Sequence, residues 1–133
     1  MRRALFVLGY LWSLPLSMFG LVMAFLSGAT DEWRWCNGAI EIRVKKLIVP
    51  AKYGIVAQTF GAVMIHTNPF VSDRLRAHER RHTWQCLVLG MFIAPVYGFS
   101  SLLALLCGGD PYRDNHLEMD AREAAASGWR FQI

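Results

Sequence analysis

The sequence His78-Glu79-Arg80-Arg81-His82, of the form H-E-x-x-H, indicates how this chain folds and what chemistry it supports. On an α-helix, residues four positions apart lie on one face about one turn apart, so both imidazoles can bind one metal ion. Histidine nitrogen suits zinc, and zinc lowers the pKa of a bound water to about 7. Glu79 would take the proton from that water. The pattern therefore predicts a metal site on a helix and metal-dependent hydrolysis, with a peptide bond as the favoured substrate.

The same helix has a purely structural interpretation. Its charged residues could form one solvated face that carries two incidental histidines. These residues are Arg74, Arg76, Glu79, Arg80 and Arg81. A third metal ligand would favour the metal site over the charged face.

Glu118 is the first candidate for that third ligand. It begins an E-x-x-A pattern in a segment rich in alanine, which predicts a second helix that packs closely against the first. Glu118 has an alternative role, because Asn115 three residues earlier makes a good capping box with it. Glu123 is the reserve ligand, and His116 is the nearest further nitrogen.

The stretch from His78 to Ala125 resembles the gluzincin type of zincin, in which H-E-x-x-H supplies two ligands and a glutamate on a later helix supplies the third. The segment 117–121 is similar to the third-ligand helix of membrane-embedded zinc proteases such as the CAAX prenyl protease group. A nearer resemblance is to small bacterial membrane proteins that carry H-E-R-x-H, an aromatic-rich apolar stretch and P-Y-R-D-N-x-x-E-x-x-A. These resemblances imply a zinc site with Glu118 as the third ligand.

Composition favours a membrane protein. The 133 residues are 54% hydrophobic, which exceeds a soluble average, and the length fits one domain. Residues 4–27 carry no charge, and such a run is long enough to cross a bilayer. We therefore predict an N-terminal membrane anchor over residues 1–27 and a zincin-like domain over residues 28–133. A straight helix is expected for the anchor, although Pro15 would also allow a bent helical hairpin in one leaflet.

A second apolar stretch, residues 86–109, is also long enough to span a bilayer. A complete crossing would leave His78 and His82 about 30 Å from Glu118, and one ion cannot join groups so far apart. We therefore predict a buried or re-entrant helix pair that turns near Pro95. Everything after the anchor would then lie on one side of the membrane.

Strands are predicted between the anchor and the helix. Apolar and charged residues alternate over residues 40–45, with Glu41 among the exposed positions, and residues 55–66 read as a second strand. The predicted fold is therefore α+β, mainly helical and zincin-like, with a small β-hairpin before a helix that Ser72 caps. The free edge of such a strand could hold an extended peptide substrate, or the hairpin could simply pack on the helices.

Charge bears on location and partners. Two of the 14 Lys and Arg residues, Arg2 and Arg3, precede the apolar segment, and the other 12 follow it. The positive-inside rule then places the domain in the cytoplasm, at a bacterial inner membrane, although Arg2 and Arg3 argue for the opposite orientation. The net charge of +4 suits anionic headgroups of a lipid bilayer, and we expect no nucleic-acid partner. Three cysteines without a C-x-x-C pattern do not decide the compartment.

The predicted protein is thus a membrane-associated zinc metallopeptidase acting on a peptide or protein. Zinc would be bound by His78, His82 and Glu118, with Glu79 as the catalytic base. Donors for the tetrahedral oxyanion would come from Tyr112, Arg113, His116 or Arg122. The alternative is a non-catalytic integral membrane protein with a structural metal or none.

Overall fold

Five α-helices and four β-strands make up the part of the chain that the computed structural model describes, residues 2–48 and 54–130. The helices are α1 (Arg2–Trp12), α2 (Leu14–Leu26), α3 (Asp73–Leu89), α4 (Ile93–Leu106) and α5 (His116–Ser127). The strands are β1 (Ala29–Cys36), β2 (Ala39–Val44), β3 (Ala57–Phe60) and β4 (Val63–His66). The predicted α+β class is confirmed. Residues 1, 49–53 and 131–133 of the predicted anchor and domain lie outside the described residues.

The strands form one mixed sheet in the order β1-β2-β4-β3. Strands β2 and β4 are parallel, and the other two pairs are antiparallel. The single strand predicted over residues 55–66 is wrong, because Gly61 begins a turn at φ +60° that divides it into β3 and β4. A Cβ at this position would collide with Ser17 of α2, so glycine is required for both conformation and space. The hairpin that precedes α3 is therefore β3–β4.

Helix α2 covers one face of the sheet, and the two share the hydrophobic core. That core consists of Ala24, Ile42, Val44, Val63 and Ile65. The N-terminal segment is not the straight helix expected, because α1 and α2 meet at an angle of 58°. Pro15 lies in the first turn of α2, where its missing N–H removes no helical hydrogen bond.

Helix α3 covers the other face and is tied to it by a buried ion cluster. Glu41 of β2 accepts hydrogen bonds from Arg76 Nε at 2.8 Å and Arg80 Nη2 at 2.5 Å. The prediction that Glu41 is exposed is therefore wrong, because two arginines of the neighbouring helix compensate its charge in the interior. Glu79 and Arg80 are only 4% and 2% exposed. This burial contradicts the interpretation of H-E-x-x-H as a solvated charged face.

The helical stretch Asp73–Leu106 is long and apolar enough to cross a membrane. The stretch is bent. In a straight helix the α-carbons of His82 and Tyr97 would lie about 22 Å apart, too far for both side chains to contact one carboxylate oxygen. Both side chains nevertheless reach Oε1 of Glu118, at 3.5 and 2.9 Å. The bend lies at Gly90, with φ +54°, and a short 3₁₀ turn follows it. The predicted turn near Pro95 is therefore displaced, because Pro95 is accommodated in the first turn of α4.

Candidate metal centre

The centre is built where α3 and α5 pack against each other. His78 and His82 lie one turn apart on α3, and Glu118 reaches them from the first turn of α5. Two nearly fully buried alanines, Ala121 and Ala124, allow this close approach. Ser72 caps α3 by accepting a hydrogen bond from the Leu75 amide, so the predicted start of this helix is confirmed.

Glu118 does not act as a capping-box partner. Asn115 caps α5 by accepting a hydrogen bond from the Leu117 amide at 2.9 Å. The Asn115 amide, which a capping-box glutamate would accept from, instead donates to the Tyr112 carbonyl at 3.2 Å. The carboxylate of Glu118 is therefore directed at the histidines, and Asn115 alone performs the cap.

The spacing of the three side chains fits a metal ion. The two histidine Nε2 atoms lie 3.1 Å apart. Glu118 Oε2 lies 3.4 Å from His78 Nε2, and Glu118 Oε1 lies 3.5 Å from His82 Nε2. In a tetrahedral zinc site with bonds of about 2.1 Å, ligand atoms are separated by about 3.4 Å. The side chains of these three residues therefore already stand at the distances that such an ion requires.

The carboxylate of Glu118 has one oxygen that lacks a proton donor. Oε1 accepts a hydrogen bond from the Tyr97 hydroxyl, whereas buried Oε2 has no hydrogen-bond partner among the described residues. Burial alone would raise the pKa of Glu118, but the adjacent imidazoles of His78 and His82 and the Tyr97 hydroxyl outweigh it and hold the pKa well below its usual range. A buried anionic oxygen without a donor is unfavourable unless a cation compensates it. Oε2, the oxygen without a donor, is the one that faces His78.

Gln85 fixes the tautomer of His82. Its amide nitrogen donates to the Leu117 carbonyl at 3.0 Å and to Asp120 Oδ2 at 2.8 Å. Its Oε1 therefore accepts from Nδ1–H of His82, at 2.8 Å. The lone pair of His82 is then on Nε2, the atom that faces Glu118. A bidentate pair between Arg81 and Asp120, at 2.6 and 2.8 Å, holds the same network in place.

The substitution Gln85→Leu is expected to weaken zinc binding by about 10- to 100-fold, because it removes the group that orients His82. Competition with a zinc-binding dye would measure the affinity. Thr83→Val is the matched control, since Thr83 is also buried on α3 but its hydroxyl donates only to the Glu79 carbonyl. An unchanged affinity in Gln85→Leu would remove Gln85 from the centre.

Glu79 and His78 line a cleft of about 310 Å³. The hydroxyl of Thr59 on β3 donates to Glu79 Oε2 at 2.6 Å and so orients the carboxylate. The wall opposite α3 includes residues 54–57, which lead into β3. Since β3 is an outer strand among the described strands, the cleft lies where the edge of the sheet begins, next to the catalytic-base candidate.

Of the other predicted site residues, two line the cleft and three do not. Tyr112 and Arg122 line the cleft, and burial raises the pKa of Tyr112. His116 instead lies with its Nδ1 3.1 Å from Ser100 Oγ of α4. Glu123 is exposed and outside the group of metal-ligating side chains. Arg113 contributes a carbonyl that accepts a hydrogen bond from Arg122, and its side chain is not part of the cleft wall.

Three contributors were missed by the sequence analysis: Thr59, Gln85 and Tyr97. Gln85 could have been found, because position i+3 from His82 lies on the same helix face. Thr59 and Tyr97 reach the site through the folding of the sheet and of α4, and no local pattern marks them.

No protein-family model, curated protein or solved structure matches this chain. The resemblance to gluzincins stays a prediction, and the function has to be argued from the geometry of the centre.

Proposed function

We propose that this protein is a zinc-dependent hydrolase, and specifically a membrane-associated metallopeptidase. The single observation that supports this proposal best is the group formed by His78, His82 and Glu118. Their metal-binding atoms lie within 4.8 Å of one another, beside a cleft that Glu79 lines.

The donor set favours zinc and a catalytic centre. Two imidazoles and one carboxylate are a common set in catalytic zinc sites, which keep the fourth position open. Structural zinc sites have four protein ligands. Among the described residues the group contains only three potential ligands of the His, Cys, Asp and Glu types.

The roles of the protein side chains follow from their positions. A zinc ion bound here would supply a Lewis acid that polarises a carbonyl and lowers the pKa of water. Glu79 would accept the proton of the attacking water and pass it to the leaving amine. Thr59 would keep the Glu79 carboxylate in one orientation through Oε2. Tyr112 and Arg122, both in the cleft wall, would donate to the developing oxyanion.

The substrate would be an extended peptide. Backbone groups of an outer strand can pair with an added strand, and the residues before β3 line the cleft beside His78. A peptide bound in this way would pass Glu79 and the metal ligands. Apolar groups in the cleft wall, such as Ile55 and Leu75, would receive its side chains.

The proposal is tested with detergent-purified full-length protein and a library of fluorescence-quenched peptides. We expect cleavage of a subset of peptides, loss of cleavage after treatment with a chelator, and recovery when zinc but not magnesium is returned. A preparation that contains about one zinc per chain and cleaves no member of a broad library would contradict the peptidase proposal.

A structural zinc is the second candidate, because the ligands come from both α3 and α5 and an ion would join these helices. In that case zinc removal would lower the thermal stability, and substitution of Glu79 would have no effect on any zinc-dependent property.

A further inference from the structure

Helix α2 directs its small residues inward and its large apolar residues outward. Serine, glycine and alanine occupy the buried positions in and beside it: Ser13, Gly20, Ala24 and Ser27. The large side chains are exposed, up to 80% for Phe25, and include Leu14, Met18, Phe19, Val22 and Leu26. A surface helix of a water-soluble protein has the opposite arrangement. Small residues at helix contacts with large apolar residues outside are typical of helices in lipid.

Helix α4 has the same inverted arrangement. Ser100 and Ala104 are buried, and Ser100 Oγ accepts a hydrogen bond from the His116 amide at 2.8 Å. The exposed residues are Val96, Phe99, Leu102, Leu103, Leu105 and Leu106. Helices α2 and α4 thus both carry outward apolar faces, and both contact the short turn after Gly90. Water-soluble monomeric proteins rarely expose so many large apolar side chains together, and such a surface is typical of a site that contacts lipid or protein.

Two tryptophans border this surface. Trp33 and Trp35 on β1 are 54% and 62% exposed. They pair with Ile42 and Ile40, so they project from the face of the sheet that α2 covers. Exposed tryptophans beside an apolar surface are typical of the headgroup level of a bilayer. At the C-terminal end of α2, the Lys46 amide donates to the Ser27 carbonyl, which places exposed basic residues beside the end of this helix and favours anionic lipid.

The helices that carry the surface are too short to cross a bilayer. Helices α1, α2 and α4 contain 11, 13 and 14 residues. Their lengths are about 17, 20 and 21 Å, whereas the hydrocarbon core is about 30 Å thick. The 58° bend between α1 and α2 and the break at Gly90, with φ +54°, mean that neither α1–α2 nor α3–α4 forms one straight helix.

The sheet excludes a crossing through α2. Gly20 lies against Phe60 and Val63, and Ser17 Oγ accepts a hydrogen bond from the Ala62 amide at 2.9 Å, so α2 packs along the sheet. Strands β1 and β3 are the outer strands among the described residues, and each has an edge that no other described strand pairs. Unpaired strand edges are not tolerated in hydrocarbon. If α2 passed through the bilayer centre, these edges would lie there too.

We propose that this protein is monotopic, held in a single leaflet of an anionic phospholipid bilayer by a lipid-facing surface. This surface consists of the outward faces of α1, α2 and α4, with Trp33 and Trp35 at its rim. The start of α1, strand β1 and the loop after α4 then lie on the same side of the membrane. The proposal does not depend on the zinc chemistry, since it concerns only how the chain meets lipid.

Cysteine labelling in sealed anionic vesicles tests this arrangement. The native exposed Cys107, after α4, is one site and is used in a Cys36→Ser background; Arg3→Cys and Asp31→Cys, each in a Cys36→Ser/Cys107→Ser background, are the others. That background retains only buried Cys86 and gives the control signal. With a membrane-impermeant maleimide, we expect equal extents of labelling at the three sites before permeabilisation and no increase afterwards, when protein is added to preformed vesicles. One site labelled only after permeabilisation would overturn the proposal.

A spin label at Val22→Cys distinguishes lipid from a second copy of the chain. In lipid, we expect the label to collide with oxygen more than with a water-soluble nickel chelate, and a label at Asp31→Cys to show the reverse. Poor access to both reagents at Val22→Cys, together with cross-links between copies, would show a protein interface and overturn the lipid assignment.

Discussion

Replacing His82 by alanine is expected to lower the zinc content of the purified protein from about one ion per chain to background. The imidazole is one of the three proposed ligands, and His78 and Glu118 alone would leave two donors. Glu118→Ala should have the same effect, because its carboxylate lies within 3.5 Å of both histidine Nε2 atoms. Elemental analysis after dialysis against a weak chelator measures the content.

The matched controls are His116→Ala and Glu123→Ala. Both remove a side chain of the correct chemical type from α5, but His116 contacts Ser100 and Glu123 is exposed. Their zinc content should equal that of the wild type. Retention of zinc in His82→Ala, or an equal loss in the two controls, would contradict the assignment of the ligands.

The proximity of His78, His82 and Glu118 could be predicted from sequence because much of their geometry is local. The two histidines are fixed by helix periodicity, and Ser72 marks where their helix begins. Glu118 needed a further argument: one ion can join the three residues only if the apolar stretch between them does not cross the bilayer. The contact of Glu118 with both histidines agrees with that argument.

The parts that could not be predicted depend on partners far along the chain. Strand β1 was not predicted, because charged and aromatic residues alternate only over residues 32–35 and most of the strand is exposed at the edge of the sheet. Glu41 has the pattern of a solvent-facing residue, and only Arg76 and Arg80, more than 30 positions later, make its burial favourable. The bend falls at Gly90, where a φ of +54° favours glycine and the ring of Trp12 leaves no space for a Cβ.

Replacing Glu79 by glutamine is expected to reduce kcat by about 10²- to 10⁴-fold while the zinc content stays at the wild-type level. Glutamine has nearly the same shape and retains an oxygen that can accept the Thr59 hydrogen bond, but it cannot accept a proton at neutral pH. The loss should therefore appear in kcat rather than in metal binding. Steady-state cleavage of the best peptide, with zinc measured on the same sample, provides both values.

Two controls separate proton transfer from a general disturbance of the cleft. Glu123→Gln makes the same chemical change on an exposed position and should leave kcat unchanged. Thr59→Val removes the hydroxyl that orients Glu79 and should reduce kcat by less than Glu79→Gln, because the base itself is retained. If Glu79→Gln cleaves peptide at the wild-type rate, Glu79 is not the base. If Glu79→Gln also loses zinc, the buried carboxylate of Glu79 matters for the fold of α3. Thr59→Val is then the variant that tests whether the orientation of Glu79 matters for catalysis.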